Sequence, residues 1–448
     1  MRIAQLTDLH LRHHLPGTSA INERRSRQMP RLLAGALAKL QEQSVDLLAV
    51  TGDLLDVPDW LTQPPPDTEP DEPQTWRTAA LDDYRLIKQA LDTAGLPYMA
   101  LPGNHDAPDL FWQVFDRAAH HRQIGEHTIF RFCDHEHAGH IPRRFLSERQ
   151  RWEQVLAQAD SPAQIHLQHY LILPPIQSDY PYQYAEAEFL ANQMAQSQRV
   201  QLSLSGHYHP GTALHWRGPT CFTAGPAFCI APFRWRVYEV NPAEITFTEH
   251  ALGDSAVVSG PVVFLDRDGV INDRAAFHGG PELMQLLPGV AAAIRRLNDT
   301  GHSVIVITNQ SSVGRGLMSE SCMHLINDKL CRLLAAEAGA TLEAIYVATG
   351  AGGDAILPDY ADVTRPKPRP TMLWEARDQL HLDLRGAWMI GDNITDALAA
   401  TAAGVQPVLV RTGHGRDMED GFRAEYPDAP VVADLAAAVD FILNRQSH

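Results

Sequence analysis

The chain falls into two stretches that differ in the rhythm of their apolar positions. In the first, the apolar runs RIAQLT (2–7), DLLAVTGD (46–53), PYMAL (97–101), QIHLQHYLILPP (164–175) and VQLSLSGHYHP (200–210) each run into a loop bearing Asp, Asn or His. Continuous apolar runs bounded by turn residues predict strands buried on both faces. Leu32, Leu33, Leu37 and Leu40 recur at helical spacing and predict a helix over 30–42, and another is predicted near 77–94. Short β-rich segments at 220–224, 235–240 and 245–249 close this half. From 261 the pattern becomes strand–helix alternation, with strands PVVFLD, HSVIVIT, EAIYV, AWMIGD and QPVLV. Helices are predicted between and after them, near 288–300, 319–338, 370–380, 394–403 and 434–443. That alternation predicts a doubly wound parallel sheet. The small, polar stretch ALGDSAVVSG (251–260) reads as a linker between domains over 1–250 and 261–448. Residues 58–73 hold six prolines and five acids with no base, and predict an excursion without fixed secondary structure.

Size and charge narrow the function classes. A chain of 448 residues fits two domains, each with its own core. The net charge of −17 is shared: 21 basic against 30 acidic residues up to residue 258, then 16 against 24. Both halves therefore disfavour long-range attraction to nucleic acid or anionic lipid. An anionic substrate has to be captured locally, by metal ions or a few Arg and Lys. Of 22 histidines, 16 precede residue 258, which points to imidazole metal ligands in the first half. The five cysteines form no CxxC pair, and reduced thiols in a cytoplasmic compartment are expected. MRIAQLTDLH reaches Asp8 before any signal-type apolar region forms, and no run approaches the roughly 20 apolar residues of a membrane span.

Five segments of the first half present hard oxygen and imidazole ligands after apolar runs. They are Asp8-x-His10, Gly52-Asp53, Asn104-His105-Asp106, His169 and His207-x-His209. One acid or His at a strand end is an ordinary turn residue; five in this order point to a cation site. On extended backbone an Asp-x-His or His-x-His pair projects both side chains to one face. A carboxylate between two cations can bridge them, and Asp53 is the candidate; such a pair can activate water and hold phosphoester oxygens.

This order, DxH … GD … GNHD … H … GHxH, resembles the calcineurin-like metallophosphoesterase superfamily over about residues 1–250. The resemblance implies a four-layer α/β/β/α sandwich with two first-row metals, Mn or Fe. It implies that Asp8, His10, Asp53 and His209 bind one metal, and Asp53, Asn104, His169 and His207 the other. His105 would protonate the leaving group, with Asp106 orienting it. VTGDLLD (50–56) followed by LPGNHD (101–106) looks most like the class III cyclic-nucleotide phosphodiesterase branch. The cluster DHEHAGH (134–140) reads as solvated surface in a hairpin.

The second half carries a different constellation. VVFLDRDGVIND (262–273) is a buried strand ending in two carboxylates two residues apart. Asp266 can act as a nucleophile and form a phosphoenzyme, while Asp268 serves as acid and then base. Gly269 permits the sharp turn. Two clustered acids require a cation, and Mg²⁺ held by Asp266, Asp268 and the Asp392 of MIGDNITDA fits. Thr308 can hydrogen-bond phosphoryl oxygens, and Lys367, one of only four lysines in the chain, can neutralise their charge.

These motifs resemble the haloacid dehalogenase (HAD) phosphatase superfamily over about residues 261–445. ITNQSSVGRG (307–316) and LDRDGVIN (265–272) look most like its heptose-1,7-bisphosphate and histidinol-phosphate phosphatase branch. The resemblance implies a Rossmann-like domain, with Asp396 supporting Asp392, and Asn309 and Arg315 contacting substrate. That branch carries a cysteine-rich zinc loop, whereas TGAGGDAILPDYADVT (349–364) has no Cys or His, so no structural zinc is expected. About 40 residues separate Asp268 from Thr308 and about 59 separate Thr308 from Lys367, which leaves no room for a large cap.

The expectation is a bifunctional phosphohydrolase of small phosphorylated metabolites such as nucleotides or sugar phosphates. Two readings compete with it. One is a nucleic-acid end-processing phosphatase, against which the acidic balance argues. The other is a regulatory metabolite-binding protein with one decayed site.

Overall fold

The computed structural model describes all residues except 20, 59–60, 62–71, 138, 159–162, 177–179, 242–243, 257–259, 274–279 and 447–448. Most of the 58–73 excursion and the centre of the predicted linker lie outside the described residues. The chain divides into two compact units, residues 1–15 with 24–256, and residues 16–23 with 257–448.

The first unit begins with β1 (Arg2–Leu6), α1 (Met29–Gln41), β2 (Leu47–Thr51), α2 (Glu72–Ala94), β3 (Tyr98–Leu101) and α3 (Pro108–Val114). β4 (His121–Ile124) and β5 (His127–Arg131) form a hairpin, as do β6 (His135–His137) and β7 (Ile141–Arg143). Then come α4 (Leu146–Ala157), β8 (Ala163–Leu167), α5 (Ala187–Ser197) and β9 (Val200–Ser205). The last strands are β10 (His215–Arg217), β11 (Thr220–Ala224), β12 (Arg234–Val240) and β13 (Ile245–Ala251). They build two sheets, ordered β13-β12-β1-β2-β3 and β10-β11-β9-β8-β5-β4. Ile3, Ala49 and Leu101 of one sheet share a core with Ile129, Ile165 and Leu204 of the other. On the second sheet's far side, Trp152 of α4 and Leu190 and Met194 of α5 pack with Phe130 and Phe222. Strands covered on both faces explain the unbroken apolar runs, such as LLAVT in β2, buried at every position. Two sheets with helices outside give the α/β/β/α sandwich.

The second unit is a six-stranded parallel sheet. Its strands are β14 (Val262–Leu265), β15 (Ser303–Asn309), β16 (Ala344–Ala348), β17 (Trp388–Gly391), β18 (Gln406–Val410) and β19 (Val431–Val432). The order is β16-β15-β14-β17-β18-β19. The helices are α6 (Val290–Asp299), α7 (Ser311–Gly314), α8 (Glu320–Ala338), α9 (Thr371–Gln379), α10 (Ile394–Ala402), α11 (Gly415–Glu425) and α12 (Leu435–Gln446). The period of two splits β14 between two cores. Val263 and Leu265 pack with Ile294, Leu330 and Val439, whereas Val262 and Phe264 pack with Met372, Leu373 and Ala399. This is a doubly wound, Rossmann-like sheet. Between β14 and β15, α6 is the only α-helix among the described residues, so no large cap is built there. The pattern reading missed α7, α11 and β19 in this unit, and α3, α4 and α5 in the first. GRDMEDGFRAE of α11 has few apolar residues, and Phe422 is its main buried anchor. Strand order reverses at β14, and the crevice beyond the carboxyl ends of β14 and β17 is where such sheets hold ligands.

Candidate active sites

In the first unit the strands stop short of the polar residues they deliver. β1 ends at Leu6, β2 at Thr51 and β9 at Ser205. Asp8, His10, Asp53 and His207 have positive φ values of 55°, 46°, 51° and 65°. The expected projection from extended backbone is therefore corrected: left-handed turns, not strand alternation, aim these side chains. Non-glycine residues hold such conformations only where surrounding structure enforces them. Here Asp8 N–H donates to Gly52 O and His10 N–H to Asp53 O, at 3.0 and 2.9 Å, lacing the two loops together. Glycines let the side chains close in. A Cβ on Gly103 would stand 2.2 Å from Asp53 Oδ1, and one on Gly52 2.3 Å from His169 Nδ1.

The predicted ligands meet at Asp53. Its Oδ2 lies 3.5 Å from His10 Nε2 and 3.4 Å from His169 Nε2, and its Oδ1 accepts the His105 N–H at 2.9 Å. His169 donates from Nδ1 to Thr51 O at 2.8 Å, which leaves Nε2 as the ligand atom. That Nε2 is 3.0 Å from Asn104 Oδ1 and 3.2 Å from His207 Nδ1. On the other side, Asp8 Oδ1 is 3.7 Å from His209 Nε2. Asp8 Oδ2 is tied down by Thr7 Oγ1 at 2.7 Å and the His207 N–H at 3.1 Å.

The electrostatics fit cations. Burial, with Arg24 nearby, lowers His10 to about 3, so it is a neutral donor. Burial would also lower His169, but Asp53 beside it raises it to about 9. Burial would raise Asp53, yet His169 and His105 hold it well below the usual carboxylate range. Asp8 Oδ1, both ring nitrogens of His10 and His207 Nε2 are buried without a hydrogen bond. Such atoms require a partner, and Asp53–His10–His105 and Asp53–His169–His207 form clusters of metal-ligand spacing.

His105 does not pair with Asp106. The Asp106 carboxylate accepts from the N–H groups of Leu54, Leu55 and Gly103 and from Tyr84 Oη, at 3.1, 3.0, 2.8 and 2.9 Å. It clasps the two ligand loops together. The partner of His105 is Asp56, whose Oδ1 is 2.9 Å from His105 Nδ1. Arg12 and Arg24 each approach Asp56 at 3.2 Å. Asp56 closes the VTGDLLD segment, but only the folded loop shows which acid faces the imidazole. In the 134–140 cluster His135, His137 and His140 are exposed. Asp134 there is a buried partner of Arg144 at 2.8 Å, and Glu136 accepts from Tyr170 Oη at 2.8 Å.

In the second unit, β14 delivers Asp266 and β17 delivers Asp392 to the reversal point. Asp266, Asp392 and Asp396 form a cluster of metal-ligand spacing. Lys367 Nζ bridges Asp266 Oδ1 at 2.9 Å and Asp396 Oδ1 at 2.6 Å, and donates to Ile307 O at 2.8 Å. Asp396 is placed by the start of α10, where it and Asn393 form a capping box. Asp392 Oδ2 accepts the His414 N–H at 2.8 Å. A Cβ on Gly413 would stand 2.0 Å from that oxygen. Burial raises Asp266 to about 6, with the Asp396 charge adding and Lys367 opposing. Burial raises Asp392 and Asp396 too. Three crowded, buried carboxylates with one lysine leave an excess of negative charge that fits a divalent cation.

Two expected positions differ. The Asp268 carboxylate turns from that cluster to Arg267 Nη2 at 3.0 Å, Asn272 Nδ2 at 2.9 Å and Gln310 Nε2 at 2.7 Å. Burial would raise it, but Arg267 and these donors hold it low. The amide of Asn309 is occupied by the Lys367 backbone, donating to its C=O and accepting its N–H, both at 2.9 Å. Asn309 thus positions Lys367. Thr308 Oγ1, buried, accepts from Gln310 at 2.9 Å. Arg315 lines a cavity of about 370 Å³ with Lys367 and Arg369. Arg267 and Gln310 lie inside motifs read from the sequence, yet nothing there marks them as partners of Asp268.

Comparison with known proteins agrees with both halves. The calcineurin-like phosphoesterase family matches residues 1–211, and the HAD-hydrolase-like family matches residues 364–438. The D-glycero-D-manno-heptose-1,7-bisphosphate 7-phosphatase of Thermosynechococcus vestitus is 42% identical over 189 residues, covering 41% of this chain and 95% of that protein. The corresponding Bordetella bronchiseptica enzyme is 36% identical over 184 residues, covering 41% of this chain and 97% of that protein. A crystal structure of D,D-heptose 1,7-bisphosphate phosphatase from B. bronchiseptica, complexed with magnesium and phosphate, is 34% identical. It matches 42% of this chain and 99% of that chain, with a TM-score of 0.37. Both matched families are phosphohydrolases, so the chain is an enzyme that belongs to the HAD phosphatase family of the heptose-bisphosphate phosphatases and carries a calcineurin-like phosphoesterase domain before it.

Proposed function

We propose that the chain is a bifunctional phosphohydrolase of small phosphorylated metabolites. Residues 1–250 would act as a two-cation phosphodiesterase or phosphatase, and residues 261–448 as a magnesium-dependent phosphomonoesterase. The observation that carries the first activity is the place of Asp53 Oδ2, 3.5 and 3.4 Å from two imidazoles that each belong to a separate donor set. Asp8, His10, Asp53 and His209 would hold one cation, and Asp53, Asn104, His169 and His207 the other; Mn²⁺ or Fe suits these N/O sets. When bound, such a pair neutralises phosphoester charge and activates water. His105, held by Asp56, donates a proton to the leaving oxygen. Asp106 keeps the two ligand loops in register.

In the second activity Asp266 attacks phosphorus, the bond to the leaving oxygen breaks, and the phosphoryl group passes to the carboxylate. Asp266, Asp392 and Asp396 would hold Mg²⁺, which would offset their charge and that of the phosphoryl group. Lys367 and Thr308 receive the phosphoryl oxygens. Asp268, held ionised by Arg267, Asn272 and Gln310, would take up a proton from water as substrate displaces those donors, and hand that proton to the leaving oxygen. It then takes one from the water that hydrolyses the phosphoenzyme. Arg315 and Arg369, lining the cavity beside Lys367, would receive a second anionic group, as a sugar bisphosphate presents.

The test is a panel of phosphodiesters and phosphomonoesters assayed on the full chain with Mn²⁺ or Mg²⁺. Asp53→Asn should abolish only the first activity and Asp266→Asn only the second. Turnover that survives both substitutions refutes the reading.

A further inference from the structure

The N-terminal centre holds a donor that its motif set does not include. Cys229 Sγ lies with ligand nitrogens of His10 and His209 in a cluster whose atoms are all within 4.8 Å of one another. The backbone fixes the sulfur there. Ala227 N–H donates to His209 O, Phe228 N–H to Thr7 O and Cys229 N–H to Asp8 O, at 2.9, 2.9 and 3.1 Å. The segment is thereby zipped across two of the three loops that carry the first cation's ligands, those of Asp8 and His209. Cys229 C=O accepts from Arg25 N–H at 2.9 Å, which closes the turn from the other side. A second observation points to a ligand at this spot: His10 is fully buried, and neither ring nitrogen makes a hydrogen bond. Among the described residues, no other cysteine falls in a cluster of metal-ligand spacing.

We propose that Cys229 is a sulfur ligand of the cation position formed by Asp8, His10, Asp53 and His209. This rests on the two-cation reading and deepens it. On coordination the thiol proton leaves to solvent and the cation takes its place on sulfur. The two positions then differ in chemistry. The first is an N/O/S site that selects Zn²⁺, Co²⁺ or Fe²⁺, while Asn104, His169 and His207 with Asp53 make an N/O site that also accepts Mn²⁺.

The experiment uses the full chain loaded with Zn²⁺ or Co²⁺. X-ray absorption of the zinc form should show a sulfur scatterer at about 2.3 Å. The cobalt form should show a near-ultraviolet sulfur-to-metal charge-transfer band. Cys229→Ser should lose both signals and bind Zn²⁺ at least about tenfold more weakly, since outer-shell losses alone reach that size. Cys221→Ser should keep them. A zinc shell of nitrogen and oxygen only, in a protein that binds zinc through Asp53, overturns the sulfur ligand and leaves the two-cation reading standing. Zinc uptake that Asp53→Asn leaves unchanged overturns both. If Cys229→Ser does not fold, presence or absence of the sulfur shell in the unaltered chain decides.

Discussion

Which acid serves His105 can be decided by replacing each candidate separately. Asp56→Asn keeps the shape but removes the charge facing His105 Nδ1 at 2.9 Å and the guanidinium groups of Arg12 and Arg24 at 3.2 Å. General acid catalysis contributes roughly 10²–10⁴-fold. The loss should therefore approach that range for diesters with alkoxide leaving groups, which need the proton. It should be much smaller for p-nitrophenolate, which does not. Asp106→Asn instead sets a side-chain amide against four donors, leaving a buried group unsatisfied at a cost of about 1–3 kcal/mol. Its effect belongs in stability, with activity per folded molecule close to wild type. The assay is kcat across leaving groups of graded basicity, paired with urea unfolding of each variant. A leaving-group-dependent loss in Asp106→Asn and not in Asp56→Asn would refute the assignment.

In the second unit, Lys367→Met strands Asp266 and Asp396 without their shared cation. Breaking a buried ion pair costs about 3–5 kcal/mol, and magnesium-dependent monoesterase activity should fall by about 10²–10³-fold; a folded, active variant at wild-type levels contradicts the role of the lysine. Gly413→Ala drives a Cβ to 2.0 Å from Asp392 Oδ2 at a φ of 56°. Its Mg²⁺ affinity, read by calorimetry, should drop while diester hydrolysis is untouched. Glu148 gives a pH prediction. Burial would raise it, but Arg151 at 2.6 Å and the Cys133 N–H hold it below 4.5. A depressed folded value means its stabilisation is complete above the unfolded value and is lost as pH falls through the folded one. Glu148→Gln should thus flatten stability on the acid side below about pH 4.5 and leave the slope above it unchanged.

The fold was legible where packing forces a period. β11 over Thr220–Ala224 and β18 over Gln406–Val410 fall on the predicted runs residue for residue. Strands buried on two faces must be apolar throughout, and helices on a parallel sheet must show an apolar stripe. α11 escaped because its core-facing stripe is thin: Met418 and Phe422, four residues apart, with Tyr426 just beyond, are nearly all its apolar surface in an otherwise charged segment.

The candidate ligands were equally legible, because hard acids and imidazoles in an ordered set are chemically conspicuous. What each carboxylate faces was not. Asp56 and Asp106 are both acids near His105, and Asp268 and Asp396 are both acids near Asp266. The choice within each pair lies in where a loop turns: the left-handed φ of Asp53, the clasp of Asp106 on two backbone segments, the capping box that seats Asp396. Residue types set the available chemistry, since only certain side chains can carry charge, protons or cations. Partnership was decided by the tertiary structure alone, because it depends on distances of a few ångströms between segments such as Asp8 and Cys229 that the chain separates by more than two hundred residues.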